Sequence, residues 1–462
     1  MIEVLNAALQ AADPHRAVLN ALRSAPVREE LQTHERVYVV GAGKAGAAMA
    51  RACEEALGER IVGGLVIVKE GHAGPEIPSP KRIEIVEAGH PVPDRRGEEA
   101  TARLLAIASS QIGGAGETPA EGLGVSPNSP TPLSTENGVG SARRDTLLIC
   151  LISGGGSALL VSPAEGVSLD DVQAATRLLL HSGATINELN AVRKHLSRVS
   201  GGQLARAASP ARVLSFILSD VIASPLDVIA SGPTAPDPTT YVEALEIIER
   251  YGLEERMPPP VISRLRRGAA GDLPETPKPG DPLFDAVSNY VVASNVIAVE
   301  AAAARARAMG LNSSIISTYV EGEAREVGLV LAGVGKELAA HGRPVPRPAC
   351  VLFGGETTVT VRGSGAGGRN TELALSAAVA LDGLGPDVLV ASFATDGGDG
   401  SSPCAGAIAD GTTIARGRAL GLDARAALAN NDSYSFWEAL GDAIFTGPTG
   451  TNVNDIMAVF AF

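Results

Sequence analysis

Short, continuously apolar runs alternate with helical patterns through the first half of the chain. The runs are 37–40 (VYVV), 65–68 (LVIV), 83–86 (IEIV), 147–152 (LLICLI) and 213–218 (VLSFIL), and each reads as a strand. Between them, apolar residues at helical spacing predict helices at about 43–57, 96–110, 168–182 and 187–200. Strands without a polar face, separated by helices, predict a parallel sheet covered on both sides. A second series follows, with strands at 290–293, 313–317, 349–353, 357–361, 388–394 and 456–460 and helices at 296–309 and 322–340. The fold class expected is α/β with two domains.

Two stretches break the pattern. Residues 113–141 are rich in Gly, Pro, Ser and Thr and lack aromatics. They bury too little apolar surface to offset their ordering entropy, so a disordered insertion without a catalytic role is expected. Residues 256–283 hold RMPPPV and LPETPKPGDPL, where proline blocks helix and central strand alike. The domain junction is placed there, giving domains at 1–285 and 286–462.

Composition narrows the function classes. The chain has 462 residues, enough for two domains. Its net charge of −14, with no basic stripe, argues against nucleic acid as a partner. Cys53, Cys150, Cys350 and Cys404 form no C-x-x-C pair, which predicts buried thiols in a reducing cytoplasm. The histidines show no zinc spacing. The N-terminus reads as an amphipathic helix with Glu3, Asp13 and His15, not a signal peptide. The uncharged stretch 146–164 contains three consecutive glycines and Pro163, which suit a strand and turn better than a membrane span.

The chemistry concentrates at glycine-rich turns. Gly41, Gly43 and Gly46 follow the first strand with the G-x-G-x-x-G spacing of a dinucleotide-binding turn. NAD binding also calls for an acid at the end of the second strand, where this chain has Lys69, with Glu70 one step on. Lys44 lies inside the turn, where a cation opposes the dipole of the following helix unless an anion binds there; a solvated lysine is the plainer alternative. The second turn is Ser153, Gly154, Gly155, Gly156 and Ser157, a backbone nest suited to oxyanions, or else a sharp packing turn. In TINELNAVRKHLSRVSGG (185–202), Thr185 and Glu188 fit a capping box and Leu189, Val192, Leu196 and Val199 form the apolar stripe. Asn190, Arg193, Lys194 and Ser197 take the other side, as a solvated face or as an anion clamp. Asp220 ends the fifth strand, where Mg²⁺ ligands and catalytic carboxylates occur; Asp227 and Asp237 read as caps and turn formers.

In the second half, a strand enters Gly354-Gly355-Glu356, and GSGAGGRNTE leads into a helix headed by Arg369 and Asn370. Arginine at a helix start again calls for an anion, such as a transferring phosphoryl group. Arg369→Ala is accordingly expected to lower turnover far more than stability. Glu356 suits a metal or a hydroxyl. Asp396 and Asp399, on a glycine loop at a strand end, suit Mg²⁺ binding or general-base work, with an Asx-turn as the structural alternative. Asn452, Asn454 and Asp455 lie in a polar loop just before the last strand.

Together these motifs resemble the class II glycerate kinases, the glycerate 2-kinases whose C-terminal part is the MOFRL domain. The resemblance rests on GAGKA, GHPVPD (89–94), LISGGGSALL, NAVRKHLS, SDVIASPLDVIASGPTAPD, GGETTVTV, GGRNTELAL, ATDGGDG and GPTGTNVNDI, in order along nearly the whole chain. It implies a Rossmann-like N-terminal domain, a second α/β domain and an active site in the interdomain cleft. The implied reaction is ATP-dependent phosphorylation of D-glycerate to 2-phosphoglycerate with Mg²⁺ or another divalent cation. Lys44, Arg369 and Asp396 are then expected to be catalytic. Gly43, Ser153, Gly155, Ser157, Asn190, Arg193, Lys194, Glu356, Asn370 and Asn452 are expected to bind substrate or phosphate, and Asp220 and Asp399 the metal. A cytoplasmic enzyme is expected, without nucleic-acid or membrane partners and compatible with a homodimer. The rival expectations are an NAD-dependent hydroxypyruvate reductase and a non-catalytic sugar-acid sensor.

Overall fold

The computed structural model describes residues 1–73, 80–111 and 146–462; the insertion expected at 113–141 lies outside the described residues. The chain forms two compact units, each drawn from separate stretches. The first comprises Leu19–Ile217 and Leu226–Tyr290, the second Met1–Val18, Leu218–Pro225 and Val291–Phe462. The single boundary at 285/286 is thereby corrected. The helix Ile2–Ala11 buries Val4, Leu5 and Ala8 and packs on the helix Asn295–Ala308, with Glu3 paired to Arg305. An amphipathic face goes where its apolar partner is, whatever its place in the chain.

The first unit is built on a sheet of β1 (Arg36–Ala42), β2 (Ile61–Lys69), β3 (Ile83–Ala88), β4 (Thr146–Ile152), β5 (Arg212–Leu218) and β6 (Val287–Ala293). The order is β3-β2-β1-β4-β5-β6, and the pairings from β3 to β5 are all parallel. This is the Rossmann strand order. Every residue of β4 is buried, as its unbroken apolar run requires. The winding reverses between β1 and β4, and the carboxyl ends of strands at such a switch point are where open α/β sheets bind ligands.

The proline-rich stretch 256–283 lies inside this unit and is not the junction. Its prolines also do not exclude a helix. Pro259 and Pro260 open the helix Pro259–Ala269, at positions where a missing N–H loses no helical bond. The stretch is fastened by Glu275, which accepts hydrogen bonds from Tyr241 N (2.9 Å) and His195 Nε2 (3.1 Å) and pairs with Lys278 (3.1 Å). Burial pushes the Glu275 acid up, but the bonds from His195, Tyr241 and Lys278 outweigh it and hold the acid at about 2. Its contribution to stability is therefore complete above the ordinary glutamate range and is lost as pH falls toward 2. Thermal unfolding of Glu275→Gln is expected to show a lower midpoint than wild type at neutral pH. The gap should close as pH drops from about 4.5 toward about 2.

The second unit holds β7 (Asn312–Val320), β8 (Ala349–Gly355), β9 (Val388–Ala394), β10 (Gly406–Asp410), β11 (Ala443–Ile444) and β12 (Asp455–Ala461), in the order β11-β10-β9-β12-β8-β7. Only β7 and β8 pair in parallel. The strand expected at 357–361 is absent. β8 already has β12 on one edge and β7 on the other, which leaves no edge for a hairpin partner, and Thr358 makes one isolated bridge to Glu323. The helix Arg369–Leu381 is buried at every position from Asn370 to Ala378. It lies so close to the helix Ala324–His341 that a Cβ at Gly328 would stand 2.3 Å from Leu373 O, and glycine is required there.

Candidate active site

The two glycine turns of the first unit leave β1 and β4 and are laced together. Lys44 N donates to Gly154 O (2.9 Å) and Ser153 N to Ala42 O (3.1 Å). The Ser153 hydroxyl, itself buried, accepts from Ala45 N (3.1 Å). Gly43 has φ +141°, and a Cβ there would stand 2.0 Å from Ser153 Oγ. Gly155 has φ +85°, the left-handed region that favours glycine. The helix Gly46–Leu57 begins directly after Lys44 and Ala45.

Lys44 is half-buried. Its ammonium meets no hydrogen-bond or carboxylate partner among the described residues. Its backbone carbonyl lies 3.2 Å from His72 Nδ1. Burial, then the field of Lys44 and Lys69, pushes the imidazole of His90 below its ordinary value. His72 is pushed down by the same three influences, partly offset by its bond to the Lys44 carbonyl. Burial and the nearby cations of this corner together disfavour charged imidazole.

The helix Ile186–His195 has the expected capping box of Thr185 and Glu188. It ends earlier than the pattern to 200 predicts, because the chain turns at Leu196. Asn190 Oδ1 accepts from the Ser231 hydroxyl (3.1 Å), which lies 3.0 Å from the Ser157 hydroxyl. Ser231 and its neighbour Ala230 have φ +59° and +50°, strained values for residues with a Cβ, and this network pins them. Arg193 donates to Ser157 O (2.7 Å), and among the described residues no carboxylate answers its charge. Burial pushes its pKa down. Lys194 differs. It is 2% exposed and lies between Asp227 (3.2 Å) and the fully buried Asp237 (3.3 Å). The expectation that it binds substrate is corrected: two carboxylates already balance its charge.

In the second unit, Arg369 bonds Asp455 through both Nε (2.5 Å) and Nη2 (2.9 Å), and Nη1 meets Glu356 at 3.0 Å. The anion that the sequence calls for at Arg369 is thus supplied by the protein. Asp455 has no exposed surface; burial pushes its acid up to about 6 in spite of Arg369. Asp399 accepts from the backbone N–H of Asn370 (3.0 Å) and Thr371 (2.8 Å), from Asn370 Nδ2 (3.2 Å) and from the Thr371 hydroxyl (2.7 Å). Its role as a metal ligand is corrected to that of a cap on the helix Arg369–Leu381. Asn370, 1% exposed, also accepts from the Ser392 hydroxyl (2.6 Å) and so serves this cap more than a substrate.

Asp396 is exposed, with one carboxylate oxygen on Gly398 N (3.1 Å), the Asx-turn arrangement. Asn452 accepts from Asn454 N (3.0 Å). Asp220 follows β5 and is partly exposed. Among the described residues no cluster of three acids, histidines or cysteines forms a metal cage. A cavity of about 610 Å³ is lined by Glu356, Thr358, Gly368, Arg369 and Ser401, among others. The sequence reading missed His90 and Asp455 as site groups. Both lie in motifs of the sequence, but the residues beside them, Gly155 and Arg369, are distant in the chain.

Comparison with known proteins places these features in a wider set. Residues 1–113 and 134–266 match a domain family described as of unknown function (DUF4147), and residues 349–455 match the MOFRL family. A glycerate 2-kinase of Pyrococcus horikoshii is 40% identical over 99% of this chain and 95% of its own length. A protein of Agrobacterium vitis that carries a hydroxypyruvate reductase name is 43% identical over 99% of this chain and 92% of its own. The crystal structure of a glycerate kinase from Thermotoga maritima superposes with a TM-score of 0.85 at 39% identity, covering 100% of this chain and 98% of that one.

Proposed function

The chain belongs to the glycerate kinase family that carries a MOFRL domain, and on that premise we propose that it transfers the γ-phosphoryl group of ATP to the 2-hydroxyl of D-glycerate. One observation supports this reading above the others. Lys44 and Arg193 stand at glycine turns on the carboxyl ends of β1 and β4, without carboxylate partners among the described residues. Cations held this way against desolvation suit a reaction that gathers a carboxylate and a triphosphate in one place.

In this reading the Lys44 ammonium and the N–H groups of the 153–157 turn hold anionic oxygens, and Arg193, anchored on Ser157, adds a second cation. Asn190 and Ser231 keep Ser157 in position. Glu356 and Arg369, paired with each other, border the cavity of the second unit; Asp396 and Asn452 present polar atoms on neighbouring loops. A divalent cation entering with ATP supplies charge neutralisation. The residues suit an ion held mainly by phosphate oxygens and one or two carboxylates, Asp396 being the exposed acid, rather than a protein cage. Four buried, unpaired cysteines are in keeping with a cytoplasmic enzyme.

The reductase reading is weaker at a specific place. Lys69 stands where the ribose-binding acid belongs, and Glu70 beyond it is paired with Arg96 at 3.0 Å. A coupled assay separates the readings. ADP release that depends on D-glycerate, with no NADH loss on adding hydroxypyruvate, is the expected result; the reverse pattern supports the reductase. Binding of D-glycerate without either turnover supports the sensor.

A further inference from the structure

The first unit holds a histidine to which the reading above gives no task. His90 follows β3, and no described residue hydrogen-bonds either of its ring nitrogens. The other histidines differ. His34, His72 and His195 have bonded rings, His181 and His341 are exposed, and His15 has an interaction of its own. His90 is half-buried, and its place is defined by Gly155. A Cβ on Gly155 would meet Nε2 and Cδ2 of His90 at 3.0 Å and Lys44 Cγ at 3.5 Å. One imidazole edge, the Lys44 stem and the backbone nest therefore border the same point.

We propose that His90 is the general base of the reaction, taking the proton of the substrate hydroxyl through Nε2. This rests on the kinase reading above. The hydroxyl oxygen bonds to the γ-phosphorus as the bond to the β–γ bridging oxygen breaks, and ADP leaves with that electron pair. The proton passes to Nε2 and later to water.

The surroundings fit this task. Among the described residues, the charged and titratable groups that bear on the ring are Lys44, Lys69 and His72, and none of these is an acid. Asp94, four residues on, is committed to Gly97 N (3.0 Å) and Arg96 (2.8 Å). Burial first, and then the neighbouring cations, hold the imidazole below its ordinary value, which favours the uncharged ring that accepts a proton. An anionic substrate beside Lys44 cancels part of their field and makes the ring a stronger base in the complex than in the free enzyme.

The test is the pH dependence of kcat and kcat/KM for wild type and His90→Gln, with D-glycerate varied at saturating ATP. For wild type, kcat/KM is expected to fall on the acid side with an apparent pKa below the ordinary imidazole value. For His90→Gln, kcat is expected to drop by about 10²–10⁴-fold, with KM for D-glycerate little changed and the acid limb gone. A wild-type kcat/KM that is flat from about pH 5 to pH 8 overturns the proposal without any variant. So does a His90→Gln enzyme that keeps its acid limb, or that loses only KM. Wild type without D-glycerate-dependent ADP release overturns the kinase reading itself, a separate outcome.

Discussion

Arg369→Ala is expected to destabilise the protein by about 3 kcal/mol, and by more at about pH 8 than at about pH 5. The variant leaves Asp455 without the guanidinium that makes two bonds to it, in a place with no exposed surface. In wild type the folded protein holds the Asp455 proton up to about pH 6, whereas an unfolded aspartate loses it near about 3.9. Between these values the folded state binds more protons, so the contribution of Asp455 to stability falls as pH rises. Without Arg369 the folded acid moves higher still, and the fall continues past the point where wild type has levelled. The gap between variant and wild type therefore opens above about pH 6. The double variant Arg369→Ala, Asp455→Asn should recover much of the loss at about pH 8, because the buried charge is gone. Thermal unfolding at the two pH values checks this. Equal losses at both, without recovery, contradict it. The sequence expects lost turnover with little lost stability; the pairing with a residue 86 positions away adds the stability loss.

What was legible in the chain was local and periodic. The strands β1, β2, β4 and β5 are legible because a parallel sheet demands apolar runs, and the capping box at Thr185 and Glu188 because it spans a single turn. The glycine turns are legible from their local spacing, but the bonds that lace them to each other join residues more than a hundred positions apart. Pairings across the chain were not legible. Lys194 reads from periodicity as a polar-face cation, yet it is buried between Asp227 and Asp237, which arrive on a later loop. Asp399 reads as a metal ligand, yet its oxygens cap a helix that begins 30 residues before it. The strand at 357–361 has a plausible apolar alternation, but β7 and β12 occupy both edges of its intended partner. His90 drew no attention because its neighbour Gly155 lies beyond the insertion in sequence.

Lys44→Ala is expected to lower kcat by about 10²–10³-fold, the effect of removing one preorganised group that stabilises transition-state charge. Its effect on stability is expected to be within about 0.5 kcal/mol of zero. The reason is the same in both cases. The ammonium has no partner among the described residues, so no ion pair between them is lost when it goes. It lies just before the helix Gly46–Leu57, where a positive charge is unfavourable, so its removal favours the helix slightly if it does anything. Arg193→Ala is expected to act in the same direction, but it also frees Ser157 O and is therefore the less clean probe.

The most direct test of the account is D-glycerate-dependent ADP release by Lys44→Ala, measured beside its thermal midpoint on the same sample. Turnover is expected to fall at least about a hundredfold in a protein that melts at or above the wild-type temperature. Wild-type turnover in this variant, or a fall in activity matched by a fall in melting temperature, would contradict it.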